Sequence, residues 1–283
     1  MPNLTVNGIN IWYQRAGQGP AVVLLHAFAV TSAMWHPQVA ALTDAGYKVI
    51  CVDQRGHGQS STLPGPTTIL QMADDIHKLI AQLKLDRASV VGLSMGGRVA
   101  MRLALDNPQD VAALVLVSAK SEPAREIKAE LKALSQRAAQ GELTSVIEEW
   151  YDERYQRLAV YAPDLYRELK AGWHHKSGNG FIGAARAIIE MESMTTRVSE
   201  IRAPTLAMAG ALDSPCHPYV AWYERSIPNC QGVIVPEAAH FVNIEQPERF
   251  NELLLMFLAD KAGWYPENIG PENDALLSRR KNQ

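Results

Sequence analysis

The chain is 283 residues long, 47% apolar and 20% charged, with a formal net charge of −3. That length holds one large α/β domain with an insertion, or two domains, and buries enough surface to need neither disulfides nor metal. No basic field exists to grip a phosphate backbone, so nucleic acid is not an expected partner.

The start, Met1-Pro2-Asn3-Leu4-Thr5, lacks a charged head followed by an apolar stretch, which argues against a secretory signal. Leu4–Val6 and Ile9–Tyr13 are β-prone runs around Asn7-Gly8. That pair tolerates φ > 0 at both turn positions and predicts a hairpin. Ala21–Leu25 follows, a near-continuous apolar run of the kind buried on both faces of a parallel sheet. It stops at His26, far short of a bilayer span, so no membrane partner is expected. The same pattern recurs at Tyr47–Val52, Ala88–Gly92, Ala112–Val117, Thr205–Ala209 and Gly232–Val235.

Between these runs, Ile69–Leu83 puts Ile69, Met72, Ala73, Ile76, Leu79, Ile80 and Leu83 on one helical face. Met95–Leu105 and Pro247–Leu258 read the same way, the last with proline where a helix start tolerates it. Strand alternating with helix after a hairpin predicts an α/β fold: a mostly parallel eight-stranded sheet flanked by helices. The alternation breaks over 119–196, which reads as several amphipathic helices inserted between two strands, with Ser177-Gly178-Asn179-Gly180 as a loop. The expected organisation is a core of 1–118 and 197–260, a helical cap at 119–196 and a polar tail at 261–283, whose start Trp264 and Tyr265 could pin. Three scattered cysteines, Cys51, Cys216 and Cys230, suit a reducing cytoplasm rather than a disulfide framework.

Gly92-Leu93-Ser94-Met95-Gly96-Gly97 sits where a buried strand ends and a helix begins. A serine on so sharp a turn is pushed clear of the sheet, and the glycines two before and two after permit close backbone approach. Serine is a weak nucleophile and requires a positioned base.

With this motif the chain resembles the α/β-hydrolase fold superfamily over nearly everything from Leu4 to Leu258. Within it, the sequence is most similar to the esterase and lactonase branch that includes the enol-lactone hydrolases of β-ketoadipate catabolism. His26-Ala27-Phe28 resembles that branch's oxyanion loop, with alanine where glycine is more frequent. Asp53–Ser60 resembles its turn after the fourth strand, and Arg186–Met191 falls in the last cap helix. The resemblance implies a chain order of serine, acid and histidine, which falls on Ser94, Asp213 and His240. His240 would take the Ser94 proton and return it to the leaving group, while Asp213 holds the imidazole tautomer. The implied oxyanion donors are the backbone N–H groups of Phe28 and Met95. The implied reaction is hydrolysis of a small carboxylic ester or lactone through an acyl-enzyme, with no cofactor and no metal.

Other residues receive plainer readings. Glu122 is the reserve acid, because some members of the superfamily carry the acid after the preceding strand. His26 reads as a hydrogen-bonder of the oxyanion loop, and Asp53, Arg55 and His57 as a turn network. His174-His175 lack a third ligand at metal-binding spacing and read as solvated cap residues. Among the aromatics, Trp150 and Phe241 are assigned to the substrate pocket, and Tyr151, Tyr155, Tyr161 and Trp173 mostly to packing within the insertion. Serine at the elbow, in place of aspartate, argues against dehalogenase and epoxide hydrolase chemistry. Two alternatives stay open: a carbon–carbon bond hydrolase of ring-cleavage products, and a non-enzymatic ligand receptor on the same scaffold. The natural substrate is not legible, and a homo-oligomer is left open.

Overall fold

Eight strands form one sheet: β1 (Asn3–Val6), β2 (Ile9–Ala16), β3 (Ala21–Leu25), β4 (Lys48–Val52), β5 (Ala88–Leu93), β6 (Val111–Val117), β7 (Thr205–Gly210) and β8 (Cys230–Val235). The computed structural model describes residues 3–262 apart from 64, 66, 124, 174, 175 and 177. The strand order is β1-β2-β4-β3-β5-β6-β7-β8. β2 pairs antiparallel with β1 and with β4, and every other pairing is parallel. The opening hairpin turns on Asn7 and Gly8, both at positive φ, 49° and 74°. All residues of β3 and β5 are buried, as continuous apolar strands covered on both faces must be, whereas the edge strand β8 is half exposed.

The flanking helices include α1 (His36–Asp44), α2 (Ile69–Gln82) and α3 (Met95–Asp106). α2 opens with a capping box: Thr68 Oγ1 accepts from Gln71 N, and Gln71 Oε1 accepts from Thr68 N. Ile69, Met72, Ala73, Ile76, Leu79 and Ile80 face inward as expected, whereas Leu83, placed on the same face by the periodicity, is the half-buried C-cap just past the helix. Between β6 and β7 come α4 (Arg125–Ala139), α5 (Leu143–Arg154), α6 (Gln156–Tyr161), α7 (Pro163–Ala171) and α8 (Gly178–Ile189). After β7 follow α9 (His217–Ser226), α10 (Val242–Glu245) and α11 (Pro247–Ala262).

Three local expectations need correction. Gly178-Asn179-Gly180 is not a loop but the first turn of α8. The glycines there serve close approach: a Cβ on Gly180 would stand 2.0 Å from the Gly56 carbonyl oxygen. The helix also ends at Ile189, so Glu190 and Met191 lie past it. At the other end, α11 continues to Ala262, into the expected tail. The remainder of that tail, with Trp264 and Tyr265, lies outside the described residues, as do His174, His175 and Ser177. Among the described residues no helix is long and apolar enough to cross a membrane.

The order β4-β3-β5 makes a topological switch point. From β3 the chain goes one way to β4, then crosses over to β5 on the other side. A crevice opens at the carboxyl ends of such a pair. Phe28 follows β3 and Ser94 follows β5, so the fold brings them to that crevice.

Candidate active site

Ser94 is held at φ 54° and ψ −109°, a region that side chains other than glycine rarely occupy. The strain is held locally: Ser94 N–H donates to Val117 O at 2.8 Å, and Ser94 O accepts from Arg98 N at 3.1 Å. The neighbouring glycines are obligatory. A Cβ on Gly92 would meet Gly96 O at 2.3 Å, and one on Gly96 would meet Leu25 O at 2.2 Å. The turn thus presses α3 against the ends of β5 and β3 and leaves the serine partly exposed.

Asp213 follows β7 and His240 follows β8. His240 Nδ1 lies 2.9 Å from Asp213 Oδ2. A carboxylate only accepts, so Nδ1 carries the proton and the Nε2 lone pair is left to act as a base. Burial pushes the Asp213 carboxyl up, but the hydrogen bond and charge of His240, with help from Ser118 and Cys216, bring it down to about 2. The loop bearing His240 is fixed by Glu245, a residue with no expected role. Glu245 Oε2 accepts from Ala239 N at 2.9 Å, and Oε1 accepts from Phe241 N at 3.1 Å. Arg157 from α6 neutralises this buried carboxylate.

Ser94, Asp213 and His240 line one cavity of about 600 Å³. Its other walls come from the sheet ends (Phe28, Ser118) and from the insertion (Ile127, Leu131, Trp150, Tyr155). Trp150, assigned to the substrate pocket, is thus among the residues lining this cavity. Phe241 is not: it is buried and stacks edge-on against Tyr155 and His240, with centroids 4.8 and 5.7 Å away. The adjacent His240 faces the cavity, and the turn of backbone into α10 directs Phe241 behind it.

The loop after β3 is tied at each successive peptide. His26 Nδ1 donates to Ala27 O at 2.7 Å, and its Nε2 accepts from Gln54 N at 2.9 Å. Ala29 N donates to His57 Nε2 at 3.3 Å, and Ala29 adopts φ 56°. Tyr155 donates to Phe28 O, and Tyr151 and Trp173 both donate to Ala29 O, at 2.7 and 2.8 Å. Phe28 thus sits between elements of core and insertion. Met95, the other expected donor position, is the first residue of α3, where the helix dipole favours an anion.

The remaining expectations resolve by geometry. Glu122 does not reach the histidine; it accepts from Tyr219 and Ser193 at 3.3 and 3.4 Å. Asp53 accepts from Ser32 N, Ser32 Oγ and Gln59 N, while Arg55 forks onto Asp75 with two 2.7 Å contacts. These residues and His57 brace the turn after β4 and do not line the cavity of Ser94. Among the described residues one cluster has metal-ligating types in reach: Asp213, Cys216 and His240, with ligand atoms within 4.8 Å of one another. Burial and the Asp213 charge push the Cys216 thiol well up, so it is a neutral donor to the carboxylate and a poor ligand.

Arg98 was not foreseen. It is 7% exposed and lines the cavity, and its Nε has no hydrogen-bond partner among the described residues. Burial lowers its pKa, against an opposing pull from Tyr223, Cys216 and Tyr219. Lys120 opens onto the same space.

Residues 20–247 match the α/β hydrolase fold family. The chain belongs to that family. A protein of Variovorax paradoxus named "Putative carbamate hydrolase RutD" is 32% identical over 249 residues, 85% of this chain and 92% of its own. The 3-oxoadipate enol-lactonase 2 of Acinetobacter baylyi is 27% identical over 257 residues, 88% of this chain and 92% of its own. The crystal structure of the enol-lactonase from Burkholderia xenovorans LB400 matches with a TM-score of 0.81 at 25% identity, covering 91% of this chain and all of that one, 100%.

Proposed function

We propose that this α/β-hydrolase family member is a serine hydrolase that cleaves a small carboxylic ester or lactone through an acyl-enzyme formed on Ser94. His240 Nε2 removes the hydroxyl proton as Oγ attacks the carbonyl carbon, and the same proton is then delivered to the departing alkoxide. Asp213 keeps Nδ1 protonated and stabilises the imidazolium. The Phe28 and Met95 N–H groups receive the charge that develops on the carbonyl oxygen. A water activated by His240 attacks the acyl-enzyme and releases the acid. None of these steps draws on a metal or organic cofactor. Residues 119–196 act as a cap that shields the cavity, with Trp150 against the substrate, and the enzyme works on a small molecule in the cytoplasm.

One observation carries this reading: a strained serine and an imidazole already anchored by a carboxylate open onto the same cavity. The enol-lactonase and carbamate hydrolase names of the relatives support the class of bond. The cavity's charge supports a narrower class. Arg98, Lys120 and Arg154, the last paired with Glu130, line it, and Asp213, itself bound to His240, is its one lining carboxylate among the described residues. A substrate carrying a free carboxylate would satisfy the buried guanidinium.

The test is turnover of p-nitrophenyl esters of graded chain length. Ser94→Ala is expected to reduce kcat by at least about 10³-fold with an unchanged melting temperature. Retained activity in that variant would falsify the nucleophile assignment. A stoichiometric burst without turnover would indicate a receptor, and activity confined to vinylogous diketones a carbon–carbon bond hydrolase.

A further inference from the structure

The oxyanion loop is built from both sides of the cavity, and the insertion supplies half of what holds it. The peptide joining Phe28 to Ala29 is gripped at both ends: Tyr155 donates to its carbonyl oxygen, and its N–H donates to His57 Nε2. The carbonyl that follows, on Ala29, takes two donors from the insertion, Tyr151 and Trp173. The peptide that precedes, joining Ala27 to Phe28, is held through its carbonyl by His26. All five side chains are at most 5% exposed, so water does not compete for these contacts.

We infer that Tyr155, backed by Tyr151 and Trp173, is a positioning residue through which the seating of the helical insertion sets the geometry of the oxyanion hole. The inference rests on the proposed role of the Phe28 N–H. Locking the Phe28–Ala29 peptide plane determines ψ of Phe28 and φ of Ala29. The latter lies at 56°, a conformation that alanine does not choose unaided. Freed of Tyr155, the loop can relax toward ordinary φ, and the Phe28 N–H turns with it.

Other roles for the tyrosine are weaker. Its hydroxyl is bound to a backbone carbonyl, and burial pushes its pKa up, so it is not a proton carrier. Its ring packs on Trp150, Tyr151 and Phe241 at 5.9, 5.1 and 4.8 Å. Phenylalanine therefore preserves the packing and removes the hydroxyl, with its hydrogen bond to Phe28 O and its contact with Trp150.

Three measurements on Tyr155→Phe test this, beside wild type and Tyr166→Phe. Tyr166 is the control: its ring packs on Tyr151, but its hydroxyl donates to Asp152 and to no atom of the loop after β3 among the described residues. The readouts are kcat, KM and the inhibition constant of an aryl boronic acid, whose tetrahedral adduct on serine occupies the oxyanion hole. In Tyr155→Phe, kcat is expected to fall about ten- to a hundred-fold. KM should stay unchanged, and boronate affinity should fall by the same factor as kcat. Tyr166→Phe is expected to match wild type in all three. A Tyr155→Phe enzyme with wild-type kcat and boronate affinity overturns the inference, as does a loss confined to KM. Should Tyr155→Phe lose its fold, Tyr151→Phe, which removes one of two donors to Ala29 O, must show the same parallel loss in milder form. Wild-type protein without Ser94-dependent turnover sinks the proposed function itself, and the two failures are thereby told apart.

Discussion

His26 and His57 are fully buried with ring centroids 4.9 Å apart, and each uses one nitrogen as donor and the other as acceptor. Two adjacent imidazoles with their lone pairs engaged have no room for added protons. Burial lowers His26 to about 4, and burial together with His26 lowers His57 to about 3, against the opposing pull of Asp53. An unfolded histidine protonates near pH 6.5, so below that pH the unfolded chain binds more protons than the folded one. Stability from these residues is complete above about pH 6.5 and drains as pH falls toward 4, by up to about 1.4 kcal/mol per pH unit for each ring. The thermal midpoint should fall between pH 6.5 and 4.5, and His57→Asn should flatten that slope. A wild-type profile flat over this range would contradict the assignment.

At the same scale, Asp213→Asn presents an amide N–H to His240 Nδ1 and so favours the unproductive tautomer; kcat should drop about 10⁴-fold. Glu122→Gln should leave kcat close to wild type, because Glu122 meets Tyr219 and Ser193 and not the histidine. The candidate nucleophile was legible because its signal is local: glycines at 92 and 96 and a strand-to-helix junction all lie within a few residues. Glu245 carried no comparable mark. Its carboxylate is informative only once Ala239 N and Phe241 N are seen to converge on it.

Among the elements, α8 shows how composition misleads. Two glycines in three residues read as a loop, yet they open a helix whose first turn lies on the Gly56 backbone. Gly180→Ala should gain helix propensity but place a methyl inside van der Waals contact with Gly56. The contact is expected to win, for a net cost of about 1–3 kcal/mol. Chemical denaturation should show a lower midpoint with an unchanged m-value, and a variant as stable as wild type would mean the two backbones can part at no cost. By contrast, α2 was legible from its apolar spacing alone, and the Thr68–Gln71 capping box seen in the structure agrees with that start.

Across the whole molecule, net charge and local charge point in different directions. The chain is formally −3, yet its cavity presents Arg98, Lys120 and a Glu130-paired Arg154 against, among the described residues, one lining carboxylate already engaged by His240. An acid ester should therefore be preferred over a neutral one of equal length. Methyl hydrogen glutarate is expected to show higher kcat/KM than methyl pentanoate in a pH-stat assay, and Arg98→Gln should abolish the difference. Equal rates in the wild-type enzyme would show that Arg98 does not meet the substrate.

By itself the sequence was enough for the eight strands, the three long framework helices, the opening hairpin and the serine elbow, because periodicity and turn sterics act between residues a few positions apart. Strand order, and with it the crevice between β3 and β5, came only from tertiary structure, since pairing partners are selected by packing over long separations. The same holds for the grip of Tyr151, Tyr155 and Trp173 on the loop after β3, across 122, 127 and 144 residues. An aromatic in an amphipathic helix looks alike whether its polar tip meets water or a buried carbonyl. Which of the two it meets depends on the element folded against it, and that element lies beyond the reach of any local pattern.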